Sequence, residues 1–330
     1  MIRIAVILLL LATTTAQAQT PVRTWRFGLI GDVPYTAHER AQLPSLLAAM
    51  GTHDLDLVAH IGDIKSGKTP CSDTLYRDRF TLFNASPAAF VYVPGDNEWL
   101  DCTRLSAGHY DVGERLEALR RIFFAEARSL GKAGIPLARQ EGPYVEHARF
   151  RLGPVLFVTL NVPGGNNNFG LAPGGSSEFK ARNPVVLAWL HSSFKQARRA
   201  RLKGIVVLMQ ADPHFEDFSR GTPHGGYRAL LETLREETRR FAGQVVVVHG
   251  DTHRSRIDHP LYDKDGNPIR NFTRVETFGY PAMGWTLGII DPADPQLFRF
   301  HANPWFGNSR APGTMLPTGN PSTVAFPKNP

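Results

Sequence analysis

The stretch Arg26-Phe-Gly-Leu-Ile-Gly-Asp32 is an apolar run closed by Gly-Asp, and the chain repeats this device three times. Residues 57–61 run into Gly62-Asp63, 90–94 into Gly95-Asp96 and 245–249 into Gly250-Asp251. A short apolar, β-rich run reads as a buried strand, and the glycine after it lets the chain turn sharply. Each Asp then stands at the carboxyl end of its strand, where open α/β sheets place their ligand sites. Four carboxylates at one edge repel one another, so they are either protonated or hold cations. A divalent metal site is the economical reading.

Outward from these runs, strand-like and helix-like segments alternate. A helix is predicted over 38–50, where Leu43, Leu46, Leu47 and Met50 share one face. Further helices are predicted over 72–83, 111–130, 184–202 and 225–241. Strands are predicted over 26–31, 56–61, 89–94, 143–150, 154–160, 204–209 and 244–249, then over 270–279, 284–290 and 296–301. The alternation favours parallel pairing, whereas Leu152-Gly-Pro154 reads as a hairpin turn. Residues 161–177 are rich in Gly and Asn and read as a loop at a strand end.

The ends of the chain read differently from its middle. Met1-Ile-Arg3, the apolar residues 4–11 and Ala16-Gln-Ala18 form a signal peptide pattern, which predicts cleavage after Ala18 and a periplasmic or secreted protein. The apolar part is too short to span a bilayer comfortably, and no later run approaches the roughly 20 residues a membrane helix needs. The predicted domains are thus the signal peptide 1–18, a catalytic-type domain 19–302 and a Pro/Gly-rich tail 303–330.

The 330 residues carry 37 Lys and Arg against 30 Asp and Glu, a net charge of +7, and loss of Arg3 with the leader lowers it by one. The excess falls in helix-like segments such as Arg198-Arg-Ala-Arg201-Leu-Lys203, which reads as a solvated helix face. No dedicated nucleic-acid module is present. Cys71 and Cys102 are the two cysteines, and an isolated pair in an exported chain is expected to bridge. Two separate buried thiols are the alternative.

The strand exits read Gly31-Asp-Val-Pro-Tyr35, Gly62-Asp-Ile-Lys-Ser66, Gly95-Asp-Asn-Glu98, Met209-Gln-Ala-Asp-Pro-His214 and His249-Gly-Asp-Thr-His253. Their order and placement, over residues 26 to about 255, resemble the calcineurin-like metallophosphoesterase superfamily, which includes the purple acid phosphatases. The resemblance implies an α/β fold: a two-sheet β-sandwich flanked by helices, in four layers, with two metals at the carboxyl edge. It makes Asp32 a ligand of the first metal and Asp63 the bridge. Asp96, Gln210 and Asp251 stand where the family has Asn, His and His. His253 matches the last His of the family's Gly-His-x-His. Asn97 replaces a His that assists the leaving group, and Pro34 replaces a further His ligand.

Those replacements turn the second site into an oxygen cage. Oxygen ligands favour hard cations such as Mn, Mg or Ca, while Fe or Zn fits the first site. The implied activity is hydrolysis of a phosphomonoester or phosphodiester, a small phosphorylated substrate being attacked by metal-activated water. Asn97 is placed to bond a phosphoryl oxygen, and His249 or His214 to supply a proton; a structural role is the alternative for each His. Asn166, Asn167 and Tyr35 are candidate substrate contacts, with plain loop packing as the alternative. Lys65 or Arg254 can neutralise the carboxylates if metal is lost. The rival function is a catalytically lapsed binding or scaffold protein on the same fold. A Ser hydrolase is disfavoured, because Gly174-Gly-Ser-Ser177 is no Gly-x-Ser-x-Gly elbow. The oligomeric state is left open.

Overall fold

The computed structural model describes residues 23–307; the signal-peptide reading and all of the tail beyond Gly307 lie outside the described residues. In chain order the elements begin with β1 (Trp25–Ile30), α1 (Ala37–Gly51), β2 (Leu57–His60), α2 (Asp73–Asn84), β3 (Ala89–Tyr92) and α3 (Val112–Phe123). There follow β4 (Ala138–Arg139), β5 (Ala148–Leu152), β6 (Val155–Thr159), a single turn α4 (Gly164–Asn167), α5 (Ser177–Arg199) and β7 (Gly204–Leu208). The remainder is α6 (Phe215–Ser219), α7 (Arg228–Arg239), β8 (Gln244–His249), β9 (Arg256–Asp258), β10 (Phe272–Glu276), β11 (Gly284–Ile290) and β12 (Phe298–Pro304).

Two mixed sheets result, ordered β12-β11-β1-β2-β3 and β4-β5-β6-β7-β8-β10-β9. β1, β2 and β3 pair in parallel, as do β6, β7, β8 and β10, so their carboxyl ends reach one edge of the molecule. The hairpin at Gly153-Pro154 pairs β5 with β6 antiparallel, as the sequence predicts. Alternate residues of each sheet face the other: Phe27, Leu29, Ala59 and Val91 meet Phe157, Val206, Leu208, Val246 and Val248. The opposite faces carry helices. Leu43, Leu46, Tyr76, Phe83 and Leu119 cover the first sheet, and Val186, Leu190, Leu230 and Leu234 the second. Strands buried on both sides explain the nearly unbroken apolar runs. The expected α-β-β-α layering is therefore the layering found.

Several boundaries differ from expectation; the strand predicted over 143–150, for example, runs over Ala148–Leu152. α3 stops at Phe123, and the chain then forms isolated bridges, Phe90 to Leu130 and Arg128 to Pro136. α5 starts seven residues earlier than predicted, because the Ser176 hydroxyl caps it by accepting from Phe179 N at 3.1 Å. The last strand continues to Pro304, and Trp305 N then bonds Met283 O at 2.9 Å. Among the described residues no helix is long and apolar enough to cross a membrane.

Candidate metal centre

The first sheet delivers Asp32, Asp63 and Asp96 to the edge, and the second delivers Gln210 and Asp251 beside them. Asp32, Asp63 and Asp251 hold φ of 54°, 57° and 75°, in the left-handed region that Asp tolerates better than most residues. The sequence reading gave every preceding glycine a turning role, but of the four only Gly62 has positive φ. Two of the others provide close approach instead. A Cβ on Gly250 would stand 2.2 Å from Asp32 Oδ2, and one on Gly95 would stand 2.0 Å from Asp63 Oδ1. Each carboxylate thus rests on the glycine of a different strand exit.

Four side chains converge at one end of this edge. Tyr35 Oη lies 3.0 Å from Asp63 Oδ2, 3.5 Å from Asp32 Oδ1 and 3.3 Å from His253 Nε2. His253 Nε2 is itself 3.3 Å from Asp32 Oδ1. The other imidazole nitrogen, Nδ1, sits 2.7 Å from Tyr280 O, which fixes Nδ1 as the protonated one and aims Nε2 inward. Ligand atoms held about 2.0–2.2 Å from an ion stand about 3.0–3.5 Å apart, a spacing that Asp32 Oδ1, Tyr35 Oη and His253 Nε2 meet, while Asp63 touches this trio through Tyr35 Oη.

The neighbouring group is Asp96, Asp251 and Gln210. Asp96 Oδ1 is buried without a hydrogen-bond partner. A Cβ on Gly164 would lie 2.8 Å from both Asp96 Oδ1 and Asp251 Oδ1, so the glycine leaves open a cradle between two carboxylate oxygens. An orphaned, buried carboxylate oxygen facing a second one fits a cation there too. Gln210 does not fit as the oxygen ligand expected of it. Its Oε1 accepts from Gly164 N at 2.6 Å, which turns Nε2 toward Asp63 Oδ2 (3.2 Å) and Asp251 Oδ1 (3.4 Å). A flip would set two donors against each other at Gly164, so Gln210 donates into the cluster.

Charge at this edge is only partly compensated. Burial first, and then neighbouring carboxylates, push Asp63 well above the usual range. The same causes raise Asp96 to about 8, with Asp251 the strongest of the neighbouring charges, and Asp251 to about 7, with Asp32 the strongest of its own. Burial also raises Asp32, although His253 opposes it. Lys65 is buried near Glu98 and Asp63, and burial lowers it while those charges raise it. It reaches only the Ser66 carbonyl, at 3.0 Å, and makes no ion pair with a carboxylate among the described residues. Arg254 is exposed and stands outside the cluster.

The remaining predicted residues are placed elsewhere or otherwise occupied. Asn97 Nδ2 donates to Asp63 Oδ2 (2.9 Å) and Tyr35 Oη (3.0 Å), so both its hydrogens are in use and none is left for a phosphoryl oxygen. His249 is fully buried, with Nδ1 2.9 Å from Gly250 O and Nε2 unpaired. It gathers with Asp212 and Glu276, not with the four aspartates, and Arg256 joins those two carboxylates at 2.8 and 2.5 Å. His214 turns its ring onto His224. Asn166 and Asn167 are structural: Asn166 Oδ1 accepts from Gly226 N, and Asn167 binds both Gly226 O and Arg182. They hold a turn in which Gly165 and residues 166–168 all have positive φ, a conformation Asn accepts. His60, bonded to Val33 O and driven to about 4 by burial, is likewise structural.

The sequence reading missed Glu98 as an anchor. Its Oε1 accepts from Asp63 N, Gly95 N and the Tyr92 hydroxyl at 2.7–3.0 Å, locking the exits of β2 and β3 together. Cys71 and Cys102 are disulfide-bonded with a Cα separation of 5.7 Å, joining the loops beyond the same two strands.

No family model and no curated protein sequence matches the chain. Among solved structures, a dimetal phosphatase from Danio rerio superposes with a TM-score of 0.53 at 13% identity, covering 85% of this chain and 96% of its own. A purple acid phosphatase from yellow lupin seeds gives a TM-score of 0.48 at 14% identity, covering 85% of this chain and 53% of its own. At such identity the likeness to the zebrafish enzyme is one of fold, and the fold is the one the resemblance implied.

Proposed function

We propose that the protein is an exported, metal-dependent phosphoesterase that hydrolyses a small phosphomonoester or phosphodiester. The observation that carries this reading is the meeting of Asp32, Asp63, Asp96 and Asp251 at one edge, buried or nearly so, with only His253 and the nearby Lys65 as cationic side chains against them. Asp32, Tyr35, Asp63 and His253 would hold one divalent cation, and Asp96 and Asp251, with Asp63, a second. Bound there, such ions supply Lewis acidity toward a phosphoryl oxygen and a water of lowered pKa. The oxygen-rich second group suits Mn, Mg or Ca. Gln210 and Asn97 orient Asp63 by donating to it, and the Tyr280 carbonyl keeps His253 in the tautomer that presents Nε2. The disulfide fits an oxidising compartment outside the cytoplasm.

One geometric fact favours a second reading, a binding protein without turnover. Asp63 Oδ2 already accepts from Tyr35, Asn97 and Gln210, while His249 gathers with Asp212 and Glu276 and His214 with Asp217, not with the four aspartates. The deciding experiment measures metal content of mature protein purified without chelator, beside Asp63→Ala, with turnover of monoester and diester substrates in Mn2+, Mg2+ or Ca2+. Near-stoichiometric metal and chelator-sensitive hydrolysis, both lost in Asp63→Ala, are expected. Metal and phosphate binding seen as a rise in melting temperature, with no turnover in any ion, would leave the binding protein as the reading.

A further inference from the structure

A cavity of about 650 Å³ opens where β7 and β8 begin, at the end of the second sheet opposite the carboxylates. A strand's length, roughly 17–20 Å, separates it from Gln210 and Asp251. Arg198, Arg201, Lys203 and Arg240 line it, with Asp294 as the acidic side chain of the described lining. The floor is apolar, formed by Leu202, Phe241 and Leu297, which are themselves almost wholly buried. Apolar walls, a few charged groups of one sign and a volume of this size make up a site for a small organic ligand.

Part of the charge is already matched. Arg198 pairs with Glu237, Arg240 with Glu236 at 2.6 Å, and Asp294 with Arg299 at 3.5 Å. Lys203 Nζ donates to Pro292 O at 2.7 Å and meets no carboxylate among the described residues. The Arg201 guanidinium meets no hydrogen-bond or ion-pair partner among them. Two cations are therefore left without a counter-charge. In sequence the run from Arg198 to Lys203 reads as a solvated helix face, but α5 ends at Arg199, and Arg201 and Lys203 leave the helix to line the cavity.

The turn that presents Arg201 is strained. Leu202 N bonds Ala197 O and Arg201 N bonds Arg198 O, both at 3.0 Å. These paired bonds close a helix on a left-handed residue that is usually Gly. Here it is Arg201, at φ 50°, a conformation that a Cβ makes costly. Folding alone favours Gly at this position, so the arginine points to a task outside folding. Leu297 on the cavity floor is left-handed as well, at φ 61°. The surrounding backbone is fixed in advance of any ligand: Asn271 Nδ2 donates to Phe241 O and Gly243 O, and Gln244 N to Lys203 O, all at 2.9 Å.

We infer that this cavity binds a small amphiphilic anion, a carboxylate or phosphate headgroup carried on an apolar body. Arg201 and Lys203 take the headgroup, the guanidinium fork suiting two oxygens of one anion. Leu202, Phe241 and Leu297 take the body. The site shares no residue with the carboxylate edge, so it stands whether or not that edge holds cations or turns over a substrate.

The test is calorimetric titration of the mature protein with octanoate, which is no phosphoester and cannot be consumed as one, beside its neutral analogue octanamide. Arg201→Gly and Lys203→Met are the variants. Wild type is expected to bind octanoate saturably, at one site and at least tenfold more tightly than octanamide. Each variant should lose at least fivefold in octanoate affinity. Arg201→Gly should at the same time melt at a higher temperature than wild type, because the left-handed strain is relieved, so its loss of affinity cannot come from misfolding. Asp63→Ala should bind octanoate as wild type does, which separates this site from the carboxylate edge. No saturable binding, equal affinity for octanoate and octanamide, or octanoate affinity unchanged in both variants would overturn the assignment.

Discussion

Asp96 and Asp251 are carboxyls whose folded-state values, about 8 and 7, lie above their ordinary 3.8. Such groups bind more protons folded than unfolded, so they contribute stability at low pH that is lost as pH rises from about 4 through 8. Chelator-treated protein should therefore melt at a lower temperature at pH 8.5 than at pH 5.5. The rise in melting temperature given by Mn2+ should grow over the same interval, since the ion takes over from the protons. Differential scanning calorimetry checks both trends, and Asp96→Asn should flatten the first; a melting temperature that climbs with pH without metal would contradict the assignment. The glycine seats give a second expectation. In Gly250→Ala the new methyl must displace Asp32, which costs about 1–3 kcal/mol and spoils the geometry around His253. Urea unfolding with Mn2+ titration should find both stability and affinity reduced, whereas an unchanged affinity would mean Asp32 is no ligand. At this scale the aspartates were legible because each closes a strand. Tyr35 as a member of the cluster, Gln210 as a donor and Glu98 as an anchor were not, because those roles depend on which atom faces which neighbour after folding.

At the scale of elements, the parallel runs of β1, β2 and β3 and of β6, β7, β8 and β10 do most of the positioning, and their apolar continuity made them readable. β4 and β9 are two and three residues long and too short to show a period, so they were invisible before the sheets were assembled. The early start of α5 depends on one serine hydroxyl at the end of a Gly-rich stretch that otherwise reads as loop. The disulfide clasps the exits of β2 and β3, which carry Asp63 and Asp96. Closing a loop with a sequence separation of 31 stabilises by about 3–4 kcal/mol in the chain-entropy model. Replacing both cysteines by serine should lower the urea midpoint by a corresponding amount and weaken Mn2+ binding, since the loops that orient two of the carboxylates are then held only by hydrogen bonds such as those of Glu98 and Asn97. Full retention of Mn2+ affinity in the double variant would separate the disulfide from the site.

Across the whole molecule, the sheets share one apolar interface, and the carboxylate edge lies where both end. Asp32, Asp63 and Asp96 belong to one sheet, Asp251 and Gln210 to the other, and Asp32 leans on Gly250 from across that divide. The architecture was legible from the order of strand exits; the separation of the histidines into their own groups was not, because His249 ends β8 and His214 follows β7 beside the same exits, and their sequence positions do not show which neighbours each ring meets. The cross-sheet seating of Asp32 has a consequence for how the protein comes into being. Neither half of the nascent chain owns the cluster, so a cation cannot be captured until the late-made strands have docked onto the early ones. Occupancy of the edge would then serve as a seal of completed assembly, withheld from any chain still missing its second sheet.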